Sequence, residues 1–142
     1  MKDYGFVMDK DVGIQHLDNV IKKAPKRKKI IYAYRGERSE YHAKKLLGMN
    51  VGESYSTESF TSASLSASFA YYAFSSYNDA ELLSMFIIPP SFPAAYISHD
   101  HTEMEILLAR GATFTLKEKR VIQNKDRSNR PSINLLVWDV TL

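Results

Sequence analysis

Glu103-Met104-Glu105-Ile106-Leu107-Leu108-Ala109-Arg110-Gly111-Ala112-Thr113-Phe114 is the stretch on which the reading of this chain turns. The apolar run Ile106-Leu107-Leu108, with Arg110-Gly111 behind it, reads as a strand followed by a turn. Side chains on extended backbone alternate between faces, so the pattern places Glu103 and Glu105 on one surface and turns Met104 into the protein. Two carboxylates two rises apart, about 6.6 Å, repel by about 2–3 kcal/mol at an effective dielectric near 20. A cation between or beside them would relieve that repulsion. Taken alone, a Glu-x-Glu is more often a pair of solvated charges on an exposed strand, so its meaning depends on the rest of the chain.

The chain has 142 residues, the size of one domain, and residues 1–142 are read as a single domain with a core of its own. It has no cysteine, which excludes disulfide frameworks, thiolate nucleophiles and cysteine-based zinc sites. No apolar stretch approaches a membrane span, and the first residues lead into no signal-peptide core, so the expectation is a cytoplasmic protein without a membrane partner. Nineteen Lys and Arg against sixteen Asp and Glu leave a formal charge of only +3. The cations are nevertheless clustered, at Lys22, Lys23, Lys26, Arg27, Lys28 and Lys29 and again at Lys117, Lys119, Arg120, Lys125, Arg127 and Arg130. A solvated helix end and loop is the plain reading of such runs, and a phosphate-bearing ligand or nucleic acid is the functional one.

Along the chain, Asp11 is expected to cap a helix with Ile14, Leu17, Val20 and Ile21 at helical spacing. Ile30, Ile31, Tyr32 and Tyr34 make a strand that delivers Arg35 to its end at Gly36. A short helix over 39–47 is closed by Gly48, and Ser54-Tyr55-Ser56 follows the turn at Gly52. Residues 59–62 read as a strand, with Ser64 as the cap of a helix carrying Leu65, Phe69, Tyr72 and Ala73. Further strands are expected over 81–88, 94–97, 105–108, 113–122 and 133–141. Helices lie in the N-terminal half and strands follow residue 80, which makes the chain α+β.

Three pieces then stand in order: Tyr34-Arg35-Gly36 at a strand end, Phe60-Thr61-Ser62-Ala63-Ser64-Leu65 at a strand-to-helix corner, and the Glu103 to Phe114 stretch. Together they resemble the mono-ADP-ribosyltransferases, whose signature is an arginine, a serine motif and a Glu-x-Glu or Gln-x-Glu pair. The resemblance runs from about Ile14 to the C-terminus. Within that family, Val51-Gly52-Glu53-Ser54-Tyr55-Ser56-Thr57 and Val137-Trp138-Asp139-Val140 look most like phage enzymes of the Alt and Mod type. Two departures are visible: Ala63 replaces the middle threonine of the serine motif, and the region before Arg35 is shorter than the family's usual helical one.

The resemblance implies a split β-sandwich of two packed sheets and an NAD-dependent transfer of ADP-ribose. Arg35 would hold the diphosphate, since a guanidinium offers paired hydrogen bonds to two phosphate oxygens. Gly36 would hold the nicotinamide amide through its backbone. Glu105 would be the catalytic carboxylate facing the ribose, Ser62 would orient it, and Ser64 would assist. Glu103 would receive the acceptor and assist proton loss from a guanidinium, because glutamate at this position goes with arginine acceptors in the family. Phe74 or Phe69 would stack on nicotinamide, with a place in the core as the alternative. His99 and His101, without a third ligand, are read as part of a loop facing the protein substrate, so no metal is expected.

The partners implied are NAD and an arginine-containing protein, with host RNA polymerase or ribosomal proteins as targets if the phage resemblance is followed. RNA carrying a 5′ NAD cap is a further donor that the basic runs make worth considering. Alternatives are a secreted or injected bacterial toxin of the same chemistry, an NAD glycohydrolase, and a non-enzymatic nucleic-acid or partner-binding module.

Overall fold

The computed structural model describes residues 10–37, 39–73, 82–97, 104–123 and 132–142. Eight strands and three helices follow the order α1 (Lys10–Lys23), β1 (Ile31–Gly36), α2 (Glu40–Leu47), β2 (Ser54–Ser56), β3 (Thr61–Ser64), α3 (Ala67–Ala73), β4 (Leu82–Ile88), β5 (Ala94–Tyr96), β6 (Glu105–Leu108), β7 (Thr113–Gln123) and β8 (Ser132–Thr141). The α+β class and the N-terminal placement of the helices are as expected. Among the described residues, no helix is long and apolar enough to cross a membrane.

Hydrogen bonding links the strands in the order β2-β7-β8-β4-β1-β3-β6-β5. Its central join is narrow. β1 pairs with β4 along its whole length, from Ile31↔Ile88 to Gly36↔Leu83, but with β3 only at Tyr34↔Ser64. Five strands therefore lie on one side of the join and three on the other. Apolar residues of both halves meet in one core: Phe86, Phe114, Leu136 and Trp138 from the five-stranded part, and Ala63, Ala94, Ile106 and Leu108 from the three-stranded part. The expected two packed sheets thus take the form of one ladder folded on itself at a single pair.

Strand alternation explains the layers. On β4 and β8, Phe86, Ile88, Leu136 and Trp138 face the main core, while Leu83, Leu135 and Val137 face the other way and pack with Ala70 and Tyr71 of α3. Both strands are buried on both faces, which is why they read as continuous apolar runs. The indole of Trp138 is fully buried, and its Nε1–H donates to Ser84 Oγ at 3.1 Å, so neither polar atom goes unsatisfied in the core. α1 sets Leu17, Val20 and Ile21 against Ala95 and Leu107 on the outer face of the three-stranded part. Arg110, in the turn after β6, ties α1 down through two hydrogen-bonding nitrogens on Asp18, the shorter contact being 2.7 Å.

Three local expectations are corrected. Asp11 lies inside α1, which begins at Lys10, and not at the position before its first residue. β3 spans Thr61–Ser64, two residues later than expected, and Ser64 is held in the ladder opposite Tyr34 and Glu105. The cap of α3 is Ser66, whose Oγ accepts from the Phe69 N–H at 3.2 Å, while Ser64 Oγ accepts from the Ser66 N–H. Gly48 ends α2 with right-handed backbone, φ −78°. Ser39, expected as the first residue of that helix, is its cap, accepting from the His42 N–H.

Gly48 and Gly111 therefore call for opposite outcomes. Gly111 sits at φ +85° with open space where a Cβ would lie, so Gly111→Ala costs conformational energy alone, about 1 kcal/mol or a melting temperature about 4 °C lower. At Gly48 a Cβ would meet only ordinary contacts at 3.6 Å, and Gly48→Ala is expected to leave the melting temperature unchanged or raise it slightly. Thermal unfolding followed by circular dichroism distinguishes the two.

Candidate active site

The narrow join creates the site. Tyr34, Ser64 and Glu105 form a row across β1, β3 and β6, and beyond that row β1 and β3 part. A cavity of about 560 Å³ opens there, lined by Arg35, Gly36, Glu37, Ser62, Ser64, Phe69 and Glu105 among others. This volume lies within the range of small-molecule sites.

Ser62 organises the polar wall. Its hydroxyl donates to Glu105 Oε2, and its backbone carbonyl accepts from Arg35 Nη1 at 2.8 Å. One residue thereby sets the position of a carboxylate and of a guanidinium on opposite sides of the cleft. Arg35 is held a second time, by Nε donating to Glu37 Oε1 at 3.2 Å. Glu37 is buried, 6% exposed, and its Oε1 also lies 3.8 Å from His42 Nε2. With Nε and Nη1 engaged on protein acceptors, the orientation of the guanidinium plane is determined before any ligand arrives.

A second cavity of about 390 Å³ shares Arg35 and Glu37 with the first and is otherwise lined by His42, Lys45, Tyr55, Phe60 and neighbouring residues. Tyr55 stacks on Phe114 with ring centres 5.0 Å apart and meets Trp138 edge-on at 5.2 Å, which fixes that wall against the core. Burial, and after it the Glu37 carboxylate, push the Tyr55 phenol above its ordinary pKa, while Arg35 pulls it down, so the hydroxyl stays protonated near neutrality.

Of the residues expected from sequence, Arg35, Gly36, Ser62, Ser64 and Glu105 all line one cavity, and so does Phe69. Glu103, Phe74, His99 and His101 lie outside the described residues. Glu37 was not anticipated; an acid two residues beyond a strand-end arginine is the signal that would have found it. The geometry drawn for the Glu-x-Glu segment is corrected. β6 begins at Glu105, and Met104 adopts φ +46° and is exposed, so it is not turned into the core and the strand alternation does not continue through it. Two backbone bonds hold this bend, from the Leu65 N–H to Met104 O at 3.0 Å and from the Ile97 N–H to Glu105 O at 2.9 Å. Among the described residues, no three His, Asp or Glu side chains are grouped to hold a metal.

The basic runs are partly consumed by the fold. Arg27 Nη2 donates to the carbonyls of Pro89 and Phe92, pinning the loop between β4 and β5, and burial lowers its pKa. Lys119 donates to the Leu47 carbonyl at the end of α2, and Arg120 pairs with Glu118.

Solved structures share this architecture. C3larvin toxin, an ADP-ribosyltransferase from Paenibacillus larvae, aligns with a TM-score of 0.65 at 20% identity, covering 99% of this chain and 75% of that one. The C3 exoenzyme of Clostridium limosum aligns with a TM-score of 0.65 at 15% identity over 95% of this chain and 71% of that one. C3stau2 from S. aureus, solved with NAD, aligns with a TM-score of 0.62 at 16% identity over 94% of this chain and 73% of that one. At these identities the likeness is one of fold. No curated protein sequence matches the chain. A family model described as ADP-ribosyltransferase exoenzyme matches residues 6–137, nearly the whole length, and the chain belongs to that family.

Proposed function

We propose that the chain is a single catalytic domain that transfers ADP-ribose from NAD to arginine side chains of a protein. The observation that carries this reading is the double engagement of Ser62, which holds Glu105 and Arg35 across one cleft. A dinucleotide has a diphosphate at its middle, and Arg35 lies on the wall common to the two cavities. The diphosphate would meet Arg35, with the nicotinamide riboside in the larger cavity beside Glu105 and the adenosine in the smaller one. Past Tyr34 the edge of β1 facing β3 leaves the ladder, and Gly36, buried but lining the larger cavity, would offer its backbone to the nicotinamide amide. Phe69 supplies an apolar wall to the same cavity.

In the reaction, the bond between ribose C1′ and the nicotinamide nitrogen breaks, and its electron pair neutralises the pyridinium ring. Positive charge develops on the ribose. Glu105 accepts a hydrogen bond from a ribose hydroxyl and places its negative charge beside that cation, with the Ser62 hydroxyl keeping the carboxylate aimed. A nitrogen of the acceptor guanidinium then bonds to C1′, and its proton passes to the Glu103 carboxylate. The arginine preference rests on the identity of residue 103 and on the family resemblance of the motif.

For the organism of action there are two readings. The stretches at 51–57 and 137–140 look like phage enzymes acting on host transcription or translation proteins. The fold matches, which include the C3larvin toxin, favour a secreted or injected bacterial toxin. Incubation with labelled NAD and either a bacterial or a eukaryotic lysate, followed by mass spectrometry of the labelled protein, separates them. Label appearing only as free ADP-ribose would instead support NAD hydrolysis. A nucleic-acid role, including NAD-capped RNA as donor, has one cation fewer to draw on, because Arg27 is engaged on the carbonyls of Pro89 and Phe92.

Glu105→Ala is expected to remove transfer and NAD hydrolysis together, by roughly a hundredfold or more in kcat. Ser62→Ala deletes the hydroxyl but keeps the carbonyl that holds Arg35, so kcat falls about tenfold or more while KM for NAD stays within about threefold. Glu103→Gln is expected to lose arginine transfer and retain NAD hydrolysis; arginine transfer at the wild-type rate in that variant would defeat the role given to Glu103. Steady-state kinetics with labelled NAD and an arginine peptide measure all three.

A further inference from the structure

Glu37 is a negative charge in a place that should receive an anion. It follows Gly36 directly, lines both cavities, and is buried against Arg35 and His42. Its carboxylate does two things to Arg35. By accepting from Nε at 3.2 Å, while Ser62 O accepts from Nη1, it fixes the fork so that the Nη2 side is the one presented to a ligand. By its charge it offsets the guanidinium, and it repels any diphosphate that binds there.

We propose that Glu37 is a positioning residue with an electrostatic cost: it aims Arg35 at the diphosphate of the donor and at the same time weakens that grip, setting a high KM and easing departure of the ADP-ribosylated product. The inference rests on the proposed function and assigns to Glu37 the control of donor affinity. A site built only for tight binding would orient Arg35 with a backbone carbonyl, as Ser62 does, or with a neutral amide. A buried carboxylate in the same position trades affinity for turnover, because product and substrate carry the same diphosphate.

The two effects are separable by substitution. Glu37→Gln keeps an oxygen acceptor for Arg35 Nε and removes the charge, so KM for NAD and the Kd for ADP-ribose should both fall, roughly fivefold or more. Glu37→Asp keeps the charge and withdraws the acceptor by one methylene, so both constants should rise by a similar factor. Opposite signs are the diagnostic, since a merely structural residue would shift both variants the same way. The full chain is used, with NAD hydrolysis kinetics for KM against kcat, calorimetry with ADP-ribose for affinity, and circular dichroism to confirm folding. Should Glu37→Gln not fold, Glu37→Asp tests the aiming role alone, which requires both constants to rise while kcat and the circular dichroism spectrum are retained; constants that do not rise, or that rise only with loss of fold, overturn the inference. Unchanged constants in both variants, or a rise in both, overturn the inference while leaving the transferase reading in place. A wild-type chain that neither hydrolyses NAD nor binds ADP-ribose overturns both.

Discussion

Ser62 makes two hydrogen bonds that run in opposite directions, and the geometry of the site depends on them. The hydroxyl bond to Glu105 crosses from β3 to β6, within the three-stranded part of the sheet. The carbonyl bond from Arg35 crosses from β3 to β1, over the join to the five-stranded part. A carboxylate and a guanidinium brought this near in an open cleft would tend to close on each other; here each has its own partner, and the space between them is kept. The serine is effective because it offers a donor and an acceptor from one residue. Ala63 beside it belongs to the main core and pairs with Ile106, so the hydroxyl that the family usually carries at this position would be directed away from Glu105. That is why the departure from the motif leaves the polar wall intact.

Much of this was legible in the sequence, for identifiable reasons. α2 is closed by Gly48 as that glycine indicates, and the continuous apolar runs of β4 and β8 mark strands buried on both faces. Arg35, Ser62, Ser64 and Glu105, expected from motif order, line one cavity, because motif order preserves what the fold brings together. The misses share a cause. Several serines between 59 and 68 are chemically equal as caps or strand residues, and only the pairing of Ser64 with Tyr34 and Glu105 decides among them. Alternation through Met104 fails because a hydrogen bond from Leu65, distant in sequence, with a second from Ile97, holds a left-handed bend that no local pattern announces. Glu37 is not marked in the sequence because what distinguishes it is burial, and an acid after a glycine looks like a surface residue.

The charge distribution tells a related story. A net charge of +3 with two basic runs looks like a surface prepared for a polyanion. In the fold, Arg27 is spent on loop carbonyls, Lys119 on the end of a helix, Arg110 on Asp18 and Arg120 on Glu118. What reaches the cleft is Arg35, with Lys45 and His42 at the smaller cavity, and Glu37 opposes them. The electrostatics of the site are thus set by a few buried or half-buried groups and little by composition.

The single pair Tyr34↔Ser64 carries a consequence for how the chain resists unfolding. Between most neighbouring strands several ladder bonds share the load, but across this join the backbone contributes one register pair, and the rest of the cohesion comes from the apolar core and from Arg35 gripping Ser62. A molecule lying across the cleft, touching Arg35 on one bank and Glu105 on the other, would act as an extra rung. Its binding energy would then be spent in part on mechanical closure of the two banks, so that occupancy of the cleft and rigidity of the whole sheet become one equilibrium.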